Sequence, residues 1–177
     1  MEIRAAGPEE EEAVVSFYGE MIDKMQACEY RPTWKLGVYP TGEGLRALVE
    51  KRQVFLGLEG QRIVAAMVLN HDCNESYADV HWETSAAEDE ITVLHLLCVL
   101  PEFGGGGRGR QMLDFARNYA AAGAQKVIRL DVMEENLPAI RLYDAAGFRR
   151  LETRRMFYES TGWTNFVMYE YALVNTI

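Results

Sequence analysis

The sequence predicts a mixed α/β (α+β) fold in which helices flank both faces of a mostly antiparallel central sheet. Two β-rich segments early in the chain are joined by a connection short enough for a hairpin, which predicts antiparallel pairing. Later in the chain, segments with helical periodicity alternate with strands. Residues 91–99 are apolar on both faces and are therefore predicted to be the central strand. With 177 residues the chain fits one domain, predicted over residues 1–177.

The first third of the chain predicts one short strand and two helices. Residues 2–5 favour a strand, and Pro8 followed by four glutamates favours a helix start, because acids suit the positive end of the helix dipole. Four apolar residues then recur at helical spacing, namely Val14, Tyr18, Met21 and Met25. An aromatic-rich connection over residues 28–40 leads to a second short helix that begins after Thr41.

The rest of the chain predicts the central strand, six further strands and two helices. Residues 54–58 and 63–69 are strands around a turn at 59–61, and the polar, acidic stretch 70–90 contains a brief strand at 77–82. After the central strand come a glycine turn at 104–109 and a helix ending at Gly123. A strand at 127–132 and a helix from Asn136 through Tyr143 follow. The chain closes with two strands at 149–158 and 166–173 around a turn at 160–162.

Composition and charge limit the classes of partner. Hydrophobic residues make up 49% and charged residues 25% of the chain, as in folded globular proteins, and no apolar stretch approaches the roughly 20 residues that cross a bilayer. The N-terminus lacks the basic start and apolar centre of a secretory signal, so we expect a cytoplasmic protein. Cys28, Cys73 and Cys98 are predicted to be reduced. The net charge of −9 disfavours nucleic acid and anionic membranes and favours a cationic or neutral partner.

Four consecutive glycines between the strongest strand and an amphipathic helix predict a ligand site. Glycine supplies no packing, whereas a turn at a helix N-terminus offers unpaired N–H groups and a favourable dipole to a phosphate. Arg108 and Arg110 would add positive charge. A merely flexible connection is the alternative, but flexibility would gain nothing for folding here. The turn lacks the Gly-Lys-Ser/Thr ending of a nucleoside-triphosphatase loop and is a poor match to a Rossmann site.

Two blocks of sequence resemble the GCN5-related N-acetyltransferase (GNAT) family. The segment 99–110 is similar to that family's pyrophosphate motif, Arg/Gln-x-x-Gly-x-Gly/Ala: Gly107 and Gly109 match, and Gly104 replaces the usual arginine or glutamine. A second block is similar to the family's Asn-x-Pro-Ala-x-x-Leu-Tyr-x-x-x-Gly-Phe segment. Its matching residues are Asn136, Pro138, Ala139, Ile140, Leu142, Tyr143, Gly147 and Phe148. The two blocks follow the family's order, so the chain is identified as a member.

The resemblance implies that the chain binds acetyl-CoA as its cosubstrate. The residues implied to contact it are Leu97, Cys98, Val99, Gly104, Gly105, Gly106, Gly107, Arg108, Gly109, Arg110, Asn136, Ala139 and Tyr143. It also implies that the backbone N–H near Val99, at the family's strand bulge, polarises the acetyl carbonyl. Asn136 would bind the pantetheine arm as well as cap its helix. No metal is expected, because His71, His81 and His95 lack metal-ligand spacing.

Acyl transfer to an amine needs a neutral nucleophile and a proton for the departing thiolate. For a lysine-like amine, presenting the neutral form at pH 7 costs about 4.6 kcal/mol, so a base is expected. His95 is the preferred base. The alternative is that His95 is a core residue hydrogen-bonded to the backbone. Glu83 and Asp72 are weaker candidates for the base. The resemblance implies that the Tyr143 hydroxyl protonates the thiolate, although its ring also suits packing. Cys98 is not expected to be a nucleophile, because it lies in an apolar strand without an activating cation.

The acceptor is predicted to be a small-molecule amine or a peptide amine. Between Arg62 and Arg108 there is no lysine or arginine, and a cationic amine would be attracted to this stretch if it lies near the site. Otherwise the stretch is a solvated loop. The acids that accumulate in it are Asp72, Glu75, Asp79, Glu83, Glu88, Asp89 and Glu90. Tyr30, Trp34 and Tyr39 are predicted to form an aromatic wall over the acceptor, with core packing as the alternative.

The favoured function is an N-acetyltransferase that moves the acetyl group of acetyl-CoA to a primary amine by direct attack in a ternary complex. A catalytically silent acyl-CoA-binding or sensor domain is the alternative, and the presence of Tyr143 favours the enzyme. A third hypothesis is a partner-binding module that uses aromatic residues near the C-terminus, around Trp163, Phe166 and Tyr169. Such a module would have no use for the glycine turn. A homodimer is left open.

Overall fold

A computed structural model describes residues 1–28, 30 and 33–173. One sheet of seven strands runs through it in the order β1-β2-β3-β4-β5-β7-β6. The strands are β1 (Glu2–Ala5), β2 (Val54–Glu59), β3 (Arg62–Asn70), β4 (Ile91–Val99), β5 (Val127–Met133), β6 (Arg149–Tyr158) and β7 (Gly162–Ala172). The α-helices are α1 (Glu11–Met25), α2 (Gly42–Glu50), α3 (Arg108–Ala122) and α4 (Leu137–Ala145). Single turns of 3-10 helix cover Pro8–Glu10, Glu75–Asp79, Glu88–Glu90 and Pro101–Phe103.

The sheet is antiparallel except where β4 pairs with β5. The connection between these two strands contains α3, and a crossover of that length is what a parallel pair requires. Their pairing extends only over Ile91–Val93 and 127–129. The carboxyl-terminal halves of β4 and β5 therefore separate, and this divergence opens the sheet at its centre.

Helices cover both faces of the sheet, which confirms the predicted architecture. On one face, α3 and α4 pack against alternate strand residues such as Phe55 and Met67. On the other face, α1 and α2 pack against the neighbouring residues Leu56, Ala66 and Val68. This alternation follows from the two-residue period of a strand, which places successive side chains on opposite faces.

Two predicted elements differ from the structure. The brief strand predicted at 77–82 is wrong: Glu75–Asp79 forms a 3-10 turn, because the Asn74 side chain accepts the Ser76 N–H at 2.9 Å and starts a turn instead of a strand. The last strand begins at Gly162 rather than Phe166. Gly162 has φ +66° and closes a tight hairpin, so the β6–β7 ladder starts directly at the turn. Among the described helices, none combines the length and apolarity that crossing a membrane demands.

Candidate active site

The divergence of β4 and β5 opens into a cavity of about 360 Å³. Its lining residues come from the end of α1, the connection before α2, the segment after β3, strands β4 and β5, helix α4 with its cap, and the hairpin of β6 and β7. They are Met25, Tyr30, Thr33, Trp34, Tyr39, Asp72, Cys73, Asn74, Leu94, His95, Leu96, Leu97, Asp131, Val132, Met133, Asn136, Ala139, Tyr143, Tyr158, Ser160, Thr161 and Phe166. A smaller cavity of about 220 Å³ shares Tyr39, Asp72, His95 and Leu96 with it. The larger volume falls within the range of small-molecule sites, roughly 300–1,000 Å³.

The glycine turn presents a row of free backbone N–H groups at the start of α3. Gly105 and Gly107 have φ +74° and +75°, a conformation that favours glycine. In the described part of the chain, the N–H groups of residues 105–110 have no hydrogen-bond partner. Gln111 donates the first such bond, to the Gly107 carbonyl at 3.0 Å. A side chain at Gly105 or Gly107 would meet no atom within 4 Å, whereas one at Gly106 would meet the Arg108 guanidinium. Open space beside unpaired N–H groups suits an anion.

The two arginines beside the turn are bound to other parts of the protein. Arg108 Nε donates to Glu59 Oε1 at 2.5 Å, and Arg108 Nη1 donates to the Phe103 carbonyl at 3.1 Å. Arg110 Nη1 donates to the Ala145 carbonyl at 2.7 Å. Arg108 Nη1 also lies against Gly106, where an added Cβ would meet it, so this guanidinium remains beside the turn. That both arginines supply charge to the turn stays a prediction.

The start of α3 lies directly against α4. A Cβ at Gly109 would lie 2.9 Å from Leu142 Cδ2, so the absence of a side chain at Gly109 permits this packing. The same contact places the turn beside the helix that carries Asn136, Ala139 and Tyr143. All three of these residues line the cavity, whereas no residue of the turn does.

Tyr143 combines a packed ring with an unpaired hydroxyl. It is 6% exposed, and its ring centroid lies 5.7 Å from those of Phe148 and Tyr169. Within the described residues its hydroxyl has no hydrogen-bond partner, although the residue lines the cavity. Burial, followed by the nearby charge of Asp131, raises the pKa of Tyr143 well above the ordinary value. The hydroxyl therefore keeps its proton at neutral pH, and the packing and cavity-facing roles coexist.

Local sequence explains how α4 aims these residues. The Asn136 side chain accepts the Ala139 N–H at 3.2 Å, which confirms the predicted cap, and Pro138 in the first turn needs no N–H partner. Ala139 and Tyr143 are four residues apart and share one face of the helix. That face is the one that the separated strands expose.

A bulge in β4 lies next to the cavity. Ala66 pairs with Cys98, but Val68 pairs with His95, so β4 carries one extra residue between the two pairs. Leu96 within it has φ +52°, and Leu96 and Leu97 both line the cavity. The structure places the bulge here and not at Val99, which pairs regularly with Ala65. This corrects the predicted position.

Cys98 faces away from the cavity. Its side chain packs in the apolar cluster between the sheet and helices α1 and α2, and it is 6% exposed. Burial raises the pKa of this thiol far above its ordinary value. Of the β4 residues predicted to bind the cosubstrate, only Leu97 lines the cavity, and Cys98 has only its backbone to offer.

His95 lines both cavities and is hydrogen-bonded to a side chain. Its Nε2 lies 3.0 Å from Asn70 Oδ1, and the same oxygen accepts the Asp72 N–H at 3.0 Å. Because that oxygen is an acceptor, Nε2 carries the proton of the neutral ring and Nδ1 is left basic. Burial lowers the pKa of His95, against the opposing charges of Asp131 and Asp72. The ring is therefore neutral at pH 7, as a general base must be.

Asp131 on β5 is a cavity residue that the sequence analysis missed. Its Oδ1 accepts hydrogen bonds from the Tyr77 hydroxyl at 2.6 Å and the Tyr158 hydroxyl at 3.0 Å. Burial raises the pKa of Asp131, and the Tyr77 hydrogen bond opposes this shift. The charge of Asp131 also contributes, after burial, to raising the pKa of Tyr39 to about 12. Asp131 is the only acid in β5, whose other residues are apolar except Arg129, and this was the sequence signal that could have revealed it.

Only one of the seven acids predicted to approach the acceptor lines the cavity, namely Asp72. Glu83, a weaker candidate base, instead pairs with Arg149 at 2.7 Å. Glu90 pairs with Lys126 at 2.8 Å. The acidic stretch therefore serves mainly as a surface connection. Among the described residues, no cluster of three or more His, Cys, Asp or Glu side chains is arranged to hold a metal ion.

The aromatic residues before α2 do lie at the cavity. Tyr30, Trp34 and Tyr39 form part of its wall. The Tyr30 hydroxyl donates to Met133 Sδ at 3.4 Å, and the Trp34 ring packs against Tyr18 with a centroid separation of 6.3 Å. These contacts attach the connection to β5 and α1, so the aromatic side chains close one side of the cavity.

Comparison with known families identifies the chain. Residues 19–148 match the model of the Acetyltransferase (GNAT) family. The chain belongs to this GNAT family. The matched segment contains the glycine turn, the bulged strand and the helix that carries Tyr143. The motifs on which the resemblance rested therefore lie inside the matched region of this GNAT chain.

Curated relatives of the GNAT chain match over shorter segments. A mycothiol acetyltransferase of Streptomyces griseus is 31% identical over 77 residues, which cover 44% of this chain and 25% of the relative. The N-alpha-acetyltransferase RimI of Mycobacterium tuberculosis is 33% identical over 75 residues, covering 42% of this chain and 46% of the relative. Across the curated relatives, the matched segments span between 20% and 51% of the relatives' own lengths.

Solved structures share the fold over nearly the whole chain. The acetyltransferase yncA of Salmonella typhimurium, solved with its cofactor acetyl-CoA, aligns with a TM-score of 0.70 at 18% identity over 100% of this chain and 96% of that one. An N-acetyltransferase of Staphylococcus aureus aligns with a TM-score of 0.71 at 18% identity over 98% of both chains. The GNAT chain therefore has the fold of its family.

Proposed function

We propose that this chain is an N-acetyltransferase that transfers the acetyl group of acetyl-CoA to a primary amine by direct attack in a ternary complex. The observation that carries the proposal is the contact of Gly109 with Leu142. It joins a turn of unpaired N–H groups to the helix whose Tyr143 hydroxyl lines a cavity. The turn suits the pyrophosphate of an acyl-CoA, and the buried hydroxyl suits its thioester. Because the start of α3 adjoins the end of α4, one acyl-CoA molecule could contact both.

In this proposal the N–H groups of residues 105–110 bind the pyrophosphate. Backbone donors are sufficient because the positive end of the α3 dipole also favours the negative charge of the pyrophosphate. Gly104 has no side chain to contribute, and Arg108 is held by Glu59. The remaining proposed contacts are Leu97, Val99 and the backbone of Cys98 on β4, and Asn136, Ala139 and Tyr143 on or beside α4.

Tyr143 is the proposed general acid. As the amine nitrogen forms a bond to the acetyl carbonyl carbon, the carbon–sulfur bond breaks and the sulfur takes the Tyr143 proton. The raised pKa of the buried hydroxyl keeps that proton in place until the thiolate forms. General acid catalysis of this kind contributes about 10²–10⁴-fold.

His95 is the proposed general base. Its neutral ring leaves Nδ1 free to accept the proton that the amine loses. Asp131 is proposed to attract the ammonium form of the acceptor into the cavity, because opposite charges attract more strongly away from bulk water. Tyr77 and Tyr158 hold its Oδ1 and so position the carboxylate.

The test has two stages. Calorimetric titration with acetyl-CoA measures cosubstrate binding, and an amine screen that detects released CoA thiol measures transfer. We expect saturable binding and amine-dependent thiol release. Binding without release for any amine would favour the silent sensor domain, and absence of binding would reject both hypotheses.

A further inference from the structure

The cavity wall carries two carboxylates and no opposing cation. Asp131 lines the larger cavity, and Asp72 lines both cavities where they meet. Among the described residues that line either cavity there is no lysine or arginine. Burial lowers the pKa of His95 and favours the neutral ring, against the charges of Asp131 and Asp72. The two negative charges therefore lack a positive partner within the described protein.

Each carboxylate also keeps one oxygen free of side-chain donors. Both phenols that bind Asp131 donate to Oδ1, which leaves Oδ2 without a donor among the described side chains. Asn70 Nδ2 donates to Asp72 Oδ2 at 3.1 Å. Asp72 Oδ1 likewise has no donor among the described side chains. By contrast, Glu83 and Glu90, which lie on the same connection but outside the cavity, are paired with basic side chains.

Two independent features indicate that the cavity receives a ligand. The Tyr143 hydroxyl belongs to a residue that is only 6% exposed, and it has no hydrogen-bond partner in the described chain. The walls are also rich in aromatic rings, including Trp34 and Tyr39. Aromatic faces attract ammonium groups, and the attraction adds to that of a carboxylate.

We propose that the acceptor is a short aliphatic amine with a second cationic group, of the diamine class. The inference rests on the proposed acetyl transfer. The reacting amine lies on the Asp131 side of the larger cavity, towards Tyr143, and the distal ammonium binds Asp72 at the junction of the two cavities. An acceptor with a distal carboxylate, such as an amino acid, is disfavoured because that carboxylate would meet Asp72.

The test compares amines that differ only in the charge of their distal end. Putrescine, n-butylamine and γ-aminobutyrate each have a four-carbon chain with a primary amine at one end. The far end is a second ammonium in putrescine, a methyl group in n-butylamine and a carboxylate in γ-aminobutyrate. We expect kcat/KM for putrescine to exceed that for n-butylamine by about tenfold, as for a partly desolvated ion pair, and γ-aminobutyrate to be the poorest acceptor. Equal values for the three amines, or a preference for γ-aminobutyrate, would overturn the inference and leave acetyl transfer intact.

Variants identify the carboxylate responsible. Asp72→Asn should bring the putrescine to n-butylamine ratio close to one, whereas Glu88→Gln, a change on the same connection outside the cavity, should preserve it. Calorimetric binding of putrescine and n-butylamine needs no acetyl transfer, so it tests the inference separately from the proposed function. Stronger binding of putrescine that is lost in Asp72→Asn supports the proposal, and equal binding of the two amines refutes it.

Discussion

The glycine turn and the acid-lined cavity are built by opposite means. The turn at 104–110 presents backbone N–H groups, and its two positive-φ glycines determine where those groups point. The cavity is lined by side chains drawn from six separate stretches of chain. The difference teaches that in this fold the proposed anion site is a local structure, whereas the proposed acceptor site exists only after the sheet has formed and its two central strands have separated.

The largest expected effect is on the cavity side. Tyr143→Phe keeps the ring packing against Phe148 and Tyr169 but removes the proposed proton donor. We expect kcat to fall about 100-fold or more, while acetyl-CoA affinity changes by less than about twofold because the turn is untouched. Rapid-mixing measurement of CoA thiol release and calorimetry check the two parts. Tyr119→Phe, on the exposed face of α3, is the matched control, and an unchanged kcat in Tyr143→Phe would remove the proposed acid.

The next effect is on the turn side. Gly107→Ala forces a Cβ onto a residue with φ +75°, at a cost of about 1 kcal/mol or more. The turn is expected to relax and misdirect its N–H groups, so acetyl-CoA affinity should fall about tenfold. Gly60→Ala is a matched control, because Gly60 has φ +61° and open surroundings in the β2–β3 turn. It should lose similar stability and keep its affinity, and an equal loss of affinity in both variants would contradict a specific role for the turn.

The pH dependence separates His95 from Asp131. A base must be neutral, so kcat/KM should decline as the pH falls through the pKa of His95, which burial places below the ordinary value of about 6.5. The Asp131 carboxylate raises that pKa, so Asp131→Asn should move the acidic limb to lower pH. The limb should disappear in His95→Gln and persist in the control His81→Gln, whose side chain is exposed. A limb that is unchanged in His95→Gln would exclude this histidine as the base.

The smallest effect concerns stability. Burial raises the pKa of Asp131 in the folded protein, so the charged carboxylate costs folding free energy at neutral pH, and this cost disappears as the pH falls through the raised pKa. Asp131→Asn can still accept the Tyr77 and Tyr158 hydrogen bonds. We expect it to be more stable than the parent protein at pH 7, by a margin that narrows on acidification. Urea unfolding across this pH range measures the margin, and a constant difference would show that the charge is not its cause.

The sequence predicted the parts of this structure that depend on local chemistry. Asn136 caps α4 as expected, and the turn before α3 has the free N–H groups that its glycines suggested. Periodicity likewise located the strands and helices to within a few residues, except at 77–82. These features depend on residues that are near one another in the chain.

The features that the sequence could not predict depend on contacts between residues that are far apart in the chain. Arg108 at the start of α3 pairs with Glu59 at the end of β2, and Asp131 accepts hydrogen bonds from Tyr77 and Tyr158, which lie in distant segments of the chain. No pattern of neighbouring residues predicts such partners. The same reason explains why six of the seven acids in the connection before β4 lie away from the cavity.

The most direct test of the account compares two acetyl donors that share the same thioester. S-acetylpantetheine lacks the pyrophosphate of acetyl-CoA together with its 3′-phosphoadenosine, so it can occupy the cavity without engaging the turn. Calorimetric titration should show that acetyl-CoA binds about 100-fold more tightly, since several charge-assisted hydrogen bonds are lost with the pyrophosphate. Gly107→Ala should weaken acetyl-CoA alone. Equal affinities of the parent protein for the two donors would contradict the claim that the turn at 104–110 holds the cosubstrate.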